Sequence, residues 1–379
     1  MPLEGGEASE GAGMAKSSAR VGIDLEQSSI AGVQVKGAGQ GYSLTHVSVR
    51  ALPEGLVFEG EVVDVNGLAA ELKTFWKESG FTGKRFSLGV ANQKIVVRTM
   101  EFPIIDAREL RAAIEFQAQE AIPIPLEDAI LDFQVLATAP SEDGAGRQKV
   151  LIVAAQRDMI AQFVGAAKKA GLSIDGIDLQ AFALLRAVAP PVAFVDVGAP
   201  QGADAAALVN IGSGVTNLVV AFNGLPQFTR VVNIGYEGLV KALVDSRALS
   251  LGEADAMRIM VGLSGADPPV GDLEASTVAE IHEVLDVGCE AFADEIRRSI
   301  DYYHSQEHEG QIGTLLLSGE GALTRNICGY LSQALHLGVE LGNPLQHIVD
   351  NKSKFPQPEL VAMSPRLAIA LGLAIEDEG

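Results

Sequence analysis

The chain has 379 residues, of which 47% are apolar, and its 49 acidic and 28 basic side chains give a net charge of −21. So acidic a chain repels nucleic acids and anionic lipid headgroups, and we expect no nucleic-acid partner. The two cysteines, Cys289 and Cys328, stand far apart, which argues against a disulfide scaffold and a zinc ribbon and suits a reducing compartment.

Neither a membrane span nor a secretion signal is predicted. No run approaches the ~18–20 apolar residues that a spanning helix needs. Residues Met1–Arg20 are rich in Gly, Ser and Glu and lack the apolar stretch of a signal peptide, so we expect a disordered tail at 1–20. Direct membrane insertion is therefore not expected.

The ordered chain begins with a predicted three-stranded antiparallel meander. Apolar and polar residues alternate in Val21–Leu25, Ile30–Val35 and Tyr42–Val49, which is typical of half-buried strands. Helical spacing of Leu68, Leu72 and Phe75 then predicts a helix over Asn66–Gly80. The lone Trp76 lies on that face, where packing in the core is the favoured interpretation.

A compact unit of strands and helices is predicted next, inserted at residues 86–176. Its predicted elements are strands Phe86–Val90, Ile95–Phe102, Asp128–Val135 and Gln148–Ala155 and helices Ala107–Ala121 and Arg157–Ala170.

The second half is organised around Ala206–Gly224. An apolar strand leads into the turn Gly212-Ser213-Gly214, and a second strand ends at Asn223-Gly224, a strong hairpin signal. The third strand is Phe228–Ile234. The remaining predicted elements are a helix at Phe182–Val188, helices Gly238–Ser246, Leu251–Val261, Val278–Ser305, Arg325–Leu335 and Met363–Ile375, and strands Ile312–Leu317 and Gly338–Leu341.

The two halves repeat one pattern of strand, small-residue turn, strand, hairpin and strand. The first turn is Asp24–Ser29, the second is Asn210–Asn217, and a third, Ser318–Ala322, follows a later strand. Backbone N–H groups that point out of such turns can hold an anion. The repeat therefore predicts two domains whose turns face each other across a cleft suited to nucleotide phosphates.

This arrangement resembles the actin-like ATPase superfamily and, more closely, the PilM family of type IV pilus assembly proteins, which is related to FtsA. The segments that carry the closer resemblance are Ala51-Leu52-Pro53, Gly60–Asp64, Val97–Pro103, Glu109-Leu110, Ala113-Ile114, Ile122–Glu127, Glu295–Tyr303 and Pro365–Leu373. The resemblance implies an α/β fold of duplicated actin-like, ribonuclease-H-like domains with an FtsA/PilM-type inserted subdomain.

On that resemblance the subdomains are expected as follows: a first actin-like subdomain at 21–85, 177–205 and 350–379, an inserted subdomain at 86–176, a second actin-like subdomain at 206–240 and 310–349, and a helical subdomain at 241–309.

The resemblance also implies a function. It predicts a cytoplasmic scaffold component of type IV pilus assembly, recruited to the inner face of the inner membrane by the N-terminal peptide of a PilN-like protein. That peptide is expected in a groove between the first and inserted subdomains. Alternatives are an active actin-like ATPase that switches or polymerises like FtsA, a kinase of the sugar or acetate branch, and the cytoplasmic part of a GspL-like secretion protein. Self-association is left open.

ATP with Mg²⁺ is the cofactor that the superfamily implies, and no metal ligands are assigned. The candidate nucleotide-binding residues are Asp24, Ser28, Ser29, Asn210, Gly212, Ser213, Gly214, Thr216, Asp255, Arg258, Gly319 and Gly321. We expect no catalytic residue among them.

Several positions depart from the family pattern. Glu26 stands where a glycine is usual, Ala31 where a lysine is usual, and Asn210 where an acid is usual, while Glu320 interrupts the third turn. An amide has no charge with which to hold Mg²⁺. These departures predict weak or absent hydrolysis; a divergent pocket that still binds ATP is the alternative.

Two further candidates are weighed. Val195–Ala199 also looks like a phosphate turn and keeps an acid, Asp196, but a second strand is predicted only after Asn210. His304 and His308 lie one helical turn apart, a spacing that metal sites use, but a solvated helix end is the favoured interpretation.

Overall fold

The structure is a computed structural model that describes residues 19–139, 146–189, 205–266, 273–306 and 310–375. The predicted tail at 1–20, except its last two residues, lies outside the described residues, as do the alternative turn Val195–Ala199 and His308.

Strands and helices alternate along the described chain. The strands are β1 Arg20–Leu25, β2 Ser29–Ala38, β3 Gly41–Ala51, β4 Val57–Phe58, β5 Glu61–Val62, β6 Arg85–Val90, β7 Val96–Pro103, β8 Ala129–Ala139, β9 Arg147–Gln156, β10 Ser173–Leu179, β11 Ala205–Ile211, β12 Thr216–Phe222, β13 Leu225–Val232, β14 Ile312–Ser318, β15 Gly338–Leu341 and β16 Ile348–Asn351. The α-helices are α1 Val65–Ser79, α2 Ala107–Ala121, α3 Arg157–Lys169, α4 Gln180–Val188, α5 Glu237–Arg247, α6 Leu251–Met260, α7 Ala275–Ser305, α8 Ile327–Leu335, α9 Gln357–Met363 and α10 Ala368–Ala374.

The first domain is built on a six-stranded sheet in the order β10-β6-β1-β2-β3-β16. Strands β1, β2 and β3 form the antiparallel meander, with Ile23 opposite Gly32. Strands β6 and β10 continue the sheet beyond β1 in parallel. The inward side chains of β1 are almost fully buried, as their apolar alternation predicts.

The second domain repeats that topology. Its five strands run β13-β12-β11-β14-β15, with an antiparallel meander β11-β12-β13 and parallel strands β14 and β15 beyond β11. Each domain thus places a turn at the end of its first strand, after Leu25 and after Ile211, and this turn leads back into the second strand. Helices α5, α6 and α7 share one apolar core with this sheet.

Between the two sheets lie α4 and α10, which join the domains. One apolar cluster combines Val33 and Leu44 of the first sheet, Leu208 and Val219 of the second, and residues of both helices. At Gly372 a Cβ atom would collide with the carbonyl of Ala183, so the close approach of α10 to α4 requires glycine there.

A three-stranded antiparallel sheet, β7-β9-β8, forms the inserted unit, with α2 packed on one face. The inserted unit defined by this strand pairing is shorter than the predicted span of 86–176. Strand β6 pairs with β1, β10 pairs with β6, and α3 packs on α1, so all three belong to the first domain. Apolar alternation identifies a strand but carries no information about its partner.

The closing helix predicted over Met363–Ile375 is interrupted. Helix α9 ends at Met363, a 3₁₀ segment spans Ser364–Leu367, and α10 follows. Pro365 lacks the N–H that a continuous helix would need, so the break falls where proline dictates. Among the helices of the described ranges, none is long and apolar enough to cross a bilayer.

Candidate functional site

The turns of the two domains touch each other directly, and Ser213 is the centre of that contact. The N–H of Gln27 donates to the Ser213 hydroxyl at 2.9 Å, and the N–H of Ser28 approaches the same oxygen at 3.4 Å. In return, the N–H of Ser213 donates to the carboxylate of Glu26. Ser213 is only 1% exposed as a result.

Side chains of the first turn cover both glycines of the second. A Cβ atom added at Gly212 would lie 2.5 Å from Glu26 Oε1, and one added at Gly214 would lie 2.6 Å from Gln27 Oε1. A side chain at either position would therefore displace Glu26 or Gln27 of the opposite domain. The cavity left between the turns has a volume of about 10 Å³, which is the room that one water molecule needs.

Contacts at the rim extend this closure. Gln27 Nε2 donates to Glu237 Oε2 at 2.6 Å, and Asn233 Nδ2 donates to Glu59 Oε2 at 2.8 Å. The hydroxyls of Ser28 and Tyr236 are 3.4 Å apart. Each of these pairs joins a residue of the first domain to one of the second.

The floor of the cleft is a buried polar chain. Gln180 Nε2 donates to Asp24 Oδ1 at 2.7 Å, and Asn217 Nδ2 donates to Gln180 Oε1 at 2.7 Å. Burial, together with the nearby Glu26 carboxylate, raises the pKa of Asp24 well above its ordinary value. The carboxyl group of Asp24 therefore favours its neutral form more than an exposed aspartate does.

The side-chain oxygen of Asn210 is engaged within the second domain. Its Oδ1 accepts a hydrogen bond from Ser318 Oγ at 3.3 Å, and its Nδ2 is buried with no hydrogen-bond partner in the described chain. The Thr216 hydroxyl likewise points away from the cleft and donates to the carbonyl of Ile234 at 2.7 Å. Ser29 begins β2 and lies opposite Ala51 in the sheet.

On the far side of the cleft, Arg258 is completely buried. Its guanidinium bonds Asp255 Oδ1 at 2.7 and 2.9 Å and Thr324 Oγ1 at 2.8 Å, and it lies 4.5 Å over the ring of Tyr236. A cation centred over an aromatic ring is attracted by the ring electrons. Arg258 is thus held by its own neighbours.

The third turn is tied to the first domain's closing segment. The Glu320 carboxylate accepts from Arg366 at 2.5 Å, and the N–H of Gly319 donates to the carbonyl of Pro365 at 2.9 Å. Gly319 has φ +88°, a left-handed conformation that favours glycine, while Gly321 packs tightly against Ile211.

Charge in the cleft is predominantly negative around Glu26. The pKa of Glu26 is raised to about 7: burial is the main cause, the carboxylates of Glu320 and Glu237 add to it, and the hydrogen bonds to Ser213 oppose it. No ion pair to Glu26 occurs within the ranges that the structure describes.

The structure thus brings together most of the residues that the sequence singled out. Asp24, Ser28, Asn210, Gly212, Ser213 and Gly214 lie at the floor and the turns, and Asp255, Arg258, Gly319 and Gly321 lie on the far side, while Ser29 and Thr216 make no contact across the cleft. Sequence reasoning missed Gln27, Gln180, Tyr236, Glu237 and Arg366. Gln27 stands in the first turn and Arg366 in a segment that carries the family resemblance, but their roles, like those of the other three, depend on contacts between distant parts of the chain.

A second recess, here called the insert groove, lies between the inserted sheet and the first domain. It has a volume of about 230 Å³ and a mainly apolar lining. The lining residues include Ile130, Leu151 and Val153 from the inserted sheet and Ile177 and Phe182 from the first domain. Strands β8 and β10, which contribute to it, are both edge strands of their sheets.

Comparison with known proteins identifies relatives of the whole described chain. The model of the family "Type IV pilus assembly protein PilM" matches residues 22–378. A solved PilM-PilN type IV pilus biogenesis complex has a chain that superposes with a TM-score of 0.78 at 23% identity, covering 94% of this chain and 97% of that chain.

The ethanolamine utilization protein EutJ from Carboxydothermus hydrogenoformans superposes with a TM-score of 0.51 at 15% identity, covering 95% of this chain and 90% of that chain. Together with the repeated sheet topology, these matches confirm the expected fold of duplicated actin-like domains with an inserted subdomain.

Proposed function

The chain belongs to the type IV pilus assembly protein PilM family, and on that premise we propose that it is a cytoplasmic, actin-like scaffold component of type IV pilus assembly. In this proposal it binds the N-terminal segment of a PilN-like inner-membrane protein, which recruits it to the inner face of that membrane. The observation that carries the proposal is the insert groove, an open apolar recess in the position expected for such a segment.

The shape and the edges of the insert groove support an extended peptide as the occupant. Edge strands present unpaired backbone N–H and C=O groups, and an added peptide strand can bond to them. The apolar lining, with Ile130 on one wall and Ile177 on the other, would receive alternate side chains of such a strand. The matched PilM protein was solved as a complex with PilN, which supports a partner of that kind.

The interdomain cleft does not fit bound ATP and Mg²⁺ as the described residues stand. The position for an anion at the Ser213 N–H is taken by Glu26, Asp24 accepts a hydrogen bond from Gln180, and Asn210 offers an amide in place of a carboxylate. We therefore propose that ATP hydrolysis is absent and that the cleft acts as a structural joint. The alternative of an active, nucleotide-switched ATPase has no supporting contact within the described cleft.

Binding of a fluorescent synthetic peptide with the N-terminal sequence of a PilN-like protein tests the proposal. Ile130→Asp places a charge on the groove wall and should weaken binding about tenfold or more. The matched control is Val135→Asp: Val135 lies on the same strand and is 39% exposed, against 38% for Ile130, but lies opposite Val150 on the α2 side of the sheet. The control should bind normally; no binding by the wild-type chain at high micromolar peptide would contradict the proposal.

A further inference from the structure

We infer that Glu26 is a tethered anion, which occupies the anion position of the Gly212–Gly214 turn and holds the two domains closed without a bound nucleotide. The carboxylate accepts the Ser213 N–H, a backbone donor at the centre of a small-residue turn. Such a turn concentrates partial positive charge and favours an anionic group. Here the anion comes from the chain itself, 187 residues away in sequence.

The placement of Glu26 excludes competitors by volume. Its carboxylate oxygens lie 2.5 and 2.8 Å from where a Cβ atom of Gly212 would be, and Gln27 lies as close to Gly214. A phosphate group is larger than a carboxylate, and the cavity beside the two turns, of about 10 Å³, holds one water molecule. A phosphate can therefore contact the Ser213 N–H only if Glu26 leaves.

Electrostatics add to this exclusion. The groups that face Glu26 from neighbouring elements are Asp24 of β1, Glu237 at the start of α5 and Glu320 of the third turn. The two arginines beside Glu320, Arg258 and Arg366, are already engaged with Asp255 and Glu320. An incoming phosphate would thus meet these carboxylates, whereas the guanidinium groups of Arg258 and Arg366 are held by other partners.

The hydrogen bonds to Ser213 favour the ionised form of Glu26 against its burial and the neighbouring carboxylates, because they lower its pKa. Glu26 has no cationic partner within the described ranges, and its neighbours repel it, so the hydrogen bonds to Ser213 hold it in place. The first turn also donates to Ser213 through Gln27 and Ser28. The two turns therefore bind each other, with Glu26 in the place that a ligand would take. These contacts of the first turn with Ser213, called the clasp below, close the cleft.

Titration with ADP and Mg²⁺, and separately with inorganic pyrophosphate, tests the clasp on the full chain by calorimetry. The wild type should show no saturable binding below about 1 mM, a standard free energy near −4 kcal/mol. Glu26→Gly removes the tethered carboxylate and opens the turn, so it should bind ADP at least about tenfold more tightly. Circular dichroism and thermal unfolding would establish that the variant is folded.

Two variants separate occupancy from charge. Glu101→Gly removes a carboxylate that pairs with Arg147 on the inserted sheet, outside the cleft, and should leave ADP binding unchanged. Glu26→Gln removes the charge but keeps a carbonyl that accepts the Ser213 N–H, so it should bind ADP more weakly than Glu26→Gly. Equal gains for Glu26→Gln and Glu26→Gly would overturn the tethered-anion mechanism, and so would a gain in Glu101→Gly.

Hydrogen exchange at Ser213 supplies a readout that does not depend on ligand. The Ser213 amide should be protected in the ligand-free wild type and should exchange faster in Glu26→Gly. A folded Glu26→Gly variant with an unchanged exchange rate, or wild-type binding of ADP at tens of micromolar, would contradict the inference. Because the insert groove is separate from the clasp, peptide binding should be equal in both proteins, so a failure of the proposed partner would leave this result standing.

Discussion

The interdomain cleft and the insert groove both border α4, at Gln180 and Phe182 respectively, but have opposite characters. In the cleft, polar and charged groups of one domain bind partners in the other, and about 10 Å³ remains free. In the insert groove, apolar side chains line a recess of about 230 Å³ between two edge strands. The difference indicates that the surfaces of the cleft bind each other and join the two domains, whereas the insert groove leaves an apolar surface accessible to a partner.

The largest expected effect comes from removing the buried cation on the far side of the cleft. Arg258→Ala would leave Asp255 without its buried partner and Glu320 with Arg366 alone, and it would empty the space over Tyr236. We expect a loss of about 3–5 kcal/mol in the free energy of unfolding, measured by urea denaturation.

The matched control for this substitution is Arg298→Ala. The Arg298 side chain is 58% exposed, and its partner Glu295 also pairs with Arg230. Removing Arg298 should cost less than about 1 kcal/mol. If both variants lost similar amounts, the buried contacts of Arg258 would not stabilise the second domain beside the cleft.

A smaller effect is expected from pH. The pKa of Glu26 is raised from 4.5 to about 7, chiefly by burial and also by neighbouring carboxylates, so in the folded state the tethered group keeps its proton up to about pH 7 and is the anion above it. The contribution of Glu26 to the free energy of unfolding is therefore largest at acid pH and falls as the pH rises from about 4.5 to about 7. Relative to Glu26→Gln, the wild type should lose about 2 kcal/mol more across this window.

Urea denaturation of both proteins at pH 5 and pH 7.5 measures that difference. The comparison with Glu26→Gln cancels the general effect of the acidic surface, and Asp24, Glu237 and Glu320 are present in both proteins. If the free energies of unfolding of both proteins changed in parallel with pH, Glu26 would titrate as an exposed glutamate does. That result would contradict the clasp, because the clasp buries Glu26 between the two turns.

The smallest effect is expected at the cleft floor. Asp24→Asn replaces a carboxyl group that favours its neutral form with a neutral amide that can still accept from Gln180. The change in the free energy of unfolding at pH 7 should be under about 1 kcal/mol, whereas Asp24→Ala should cost about 1–3 kcal/mol because Gln180 loses its acceptor. Thermal unfolding of the two variants distinguishes these outcomes, and a large loss in Asp24→Asn would indicate a charged, cation-holding Asp24.

Local elements were largely predictable from the sequence, but their partners were not. Helix α2 has the predicted bounds, and both meanders appear where apolar alternation placed them. Strand β10 was missed because Ser173–Leu179 is polar and contains a glycine, and its pairing with β6 is long-range. Strand β6 was predicted correctly as a strand, but its pairing with β1 depends on tertiary contacts.

The same limit applies to the site. Small residues after strands identified the turns at Ser28, Gly212 and Gly319, because turn chemistry is local. The departure at Glu26 was also visible, but its hydrogen bond to Ser213 spans the whole first half of the chain. Arg258 was predicted to face a nucleotide, whereas it faces Tyr236 and Asp255 of its own domain.

The peptide affinity of the wild-type chain with and without nucleotide tests the central claim most directly. If the clasp closes the cleft permanently and the insert groove alone serves the partner, saturating ADP or ATP with Mg²⁺ should leave the dissociation constant of the PilN-like peptide unchanged. A shift of about tenfold or more on adding nucleotide would demonstrate coupling between the two sites of about 1.4 kcal/mol and would contradict a permanently closed cleft.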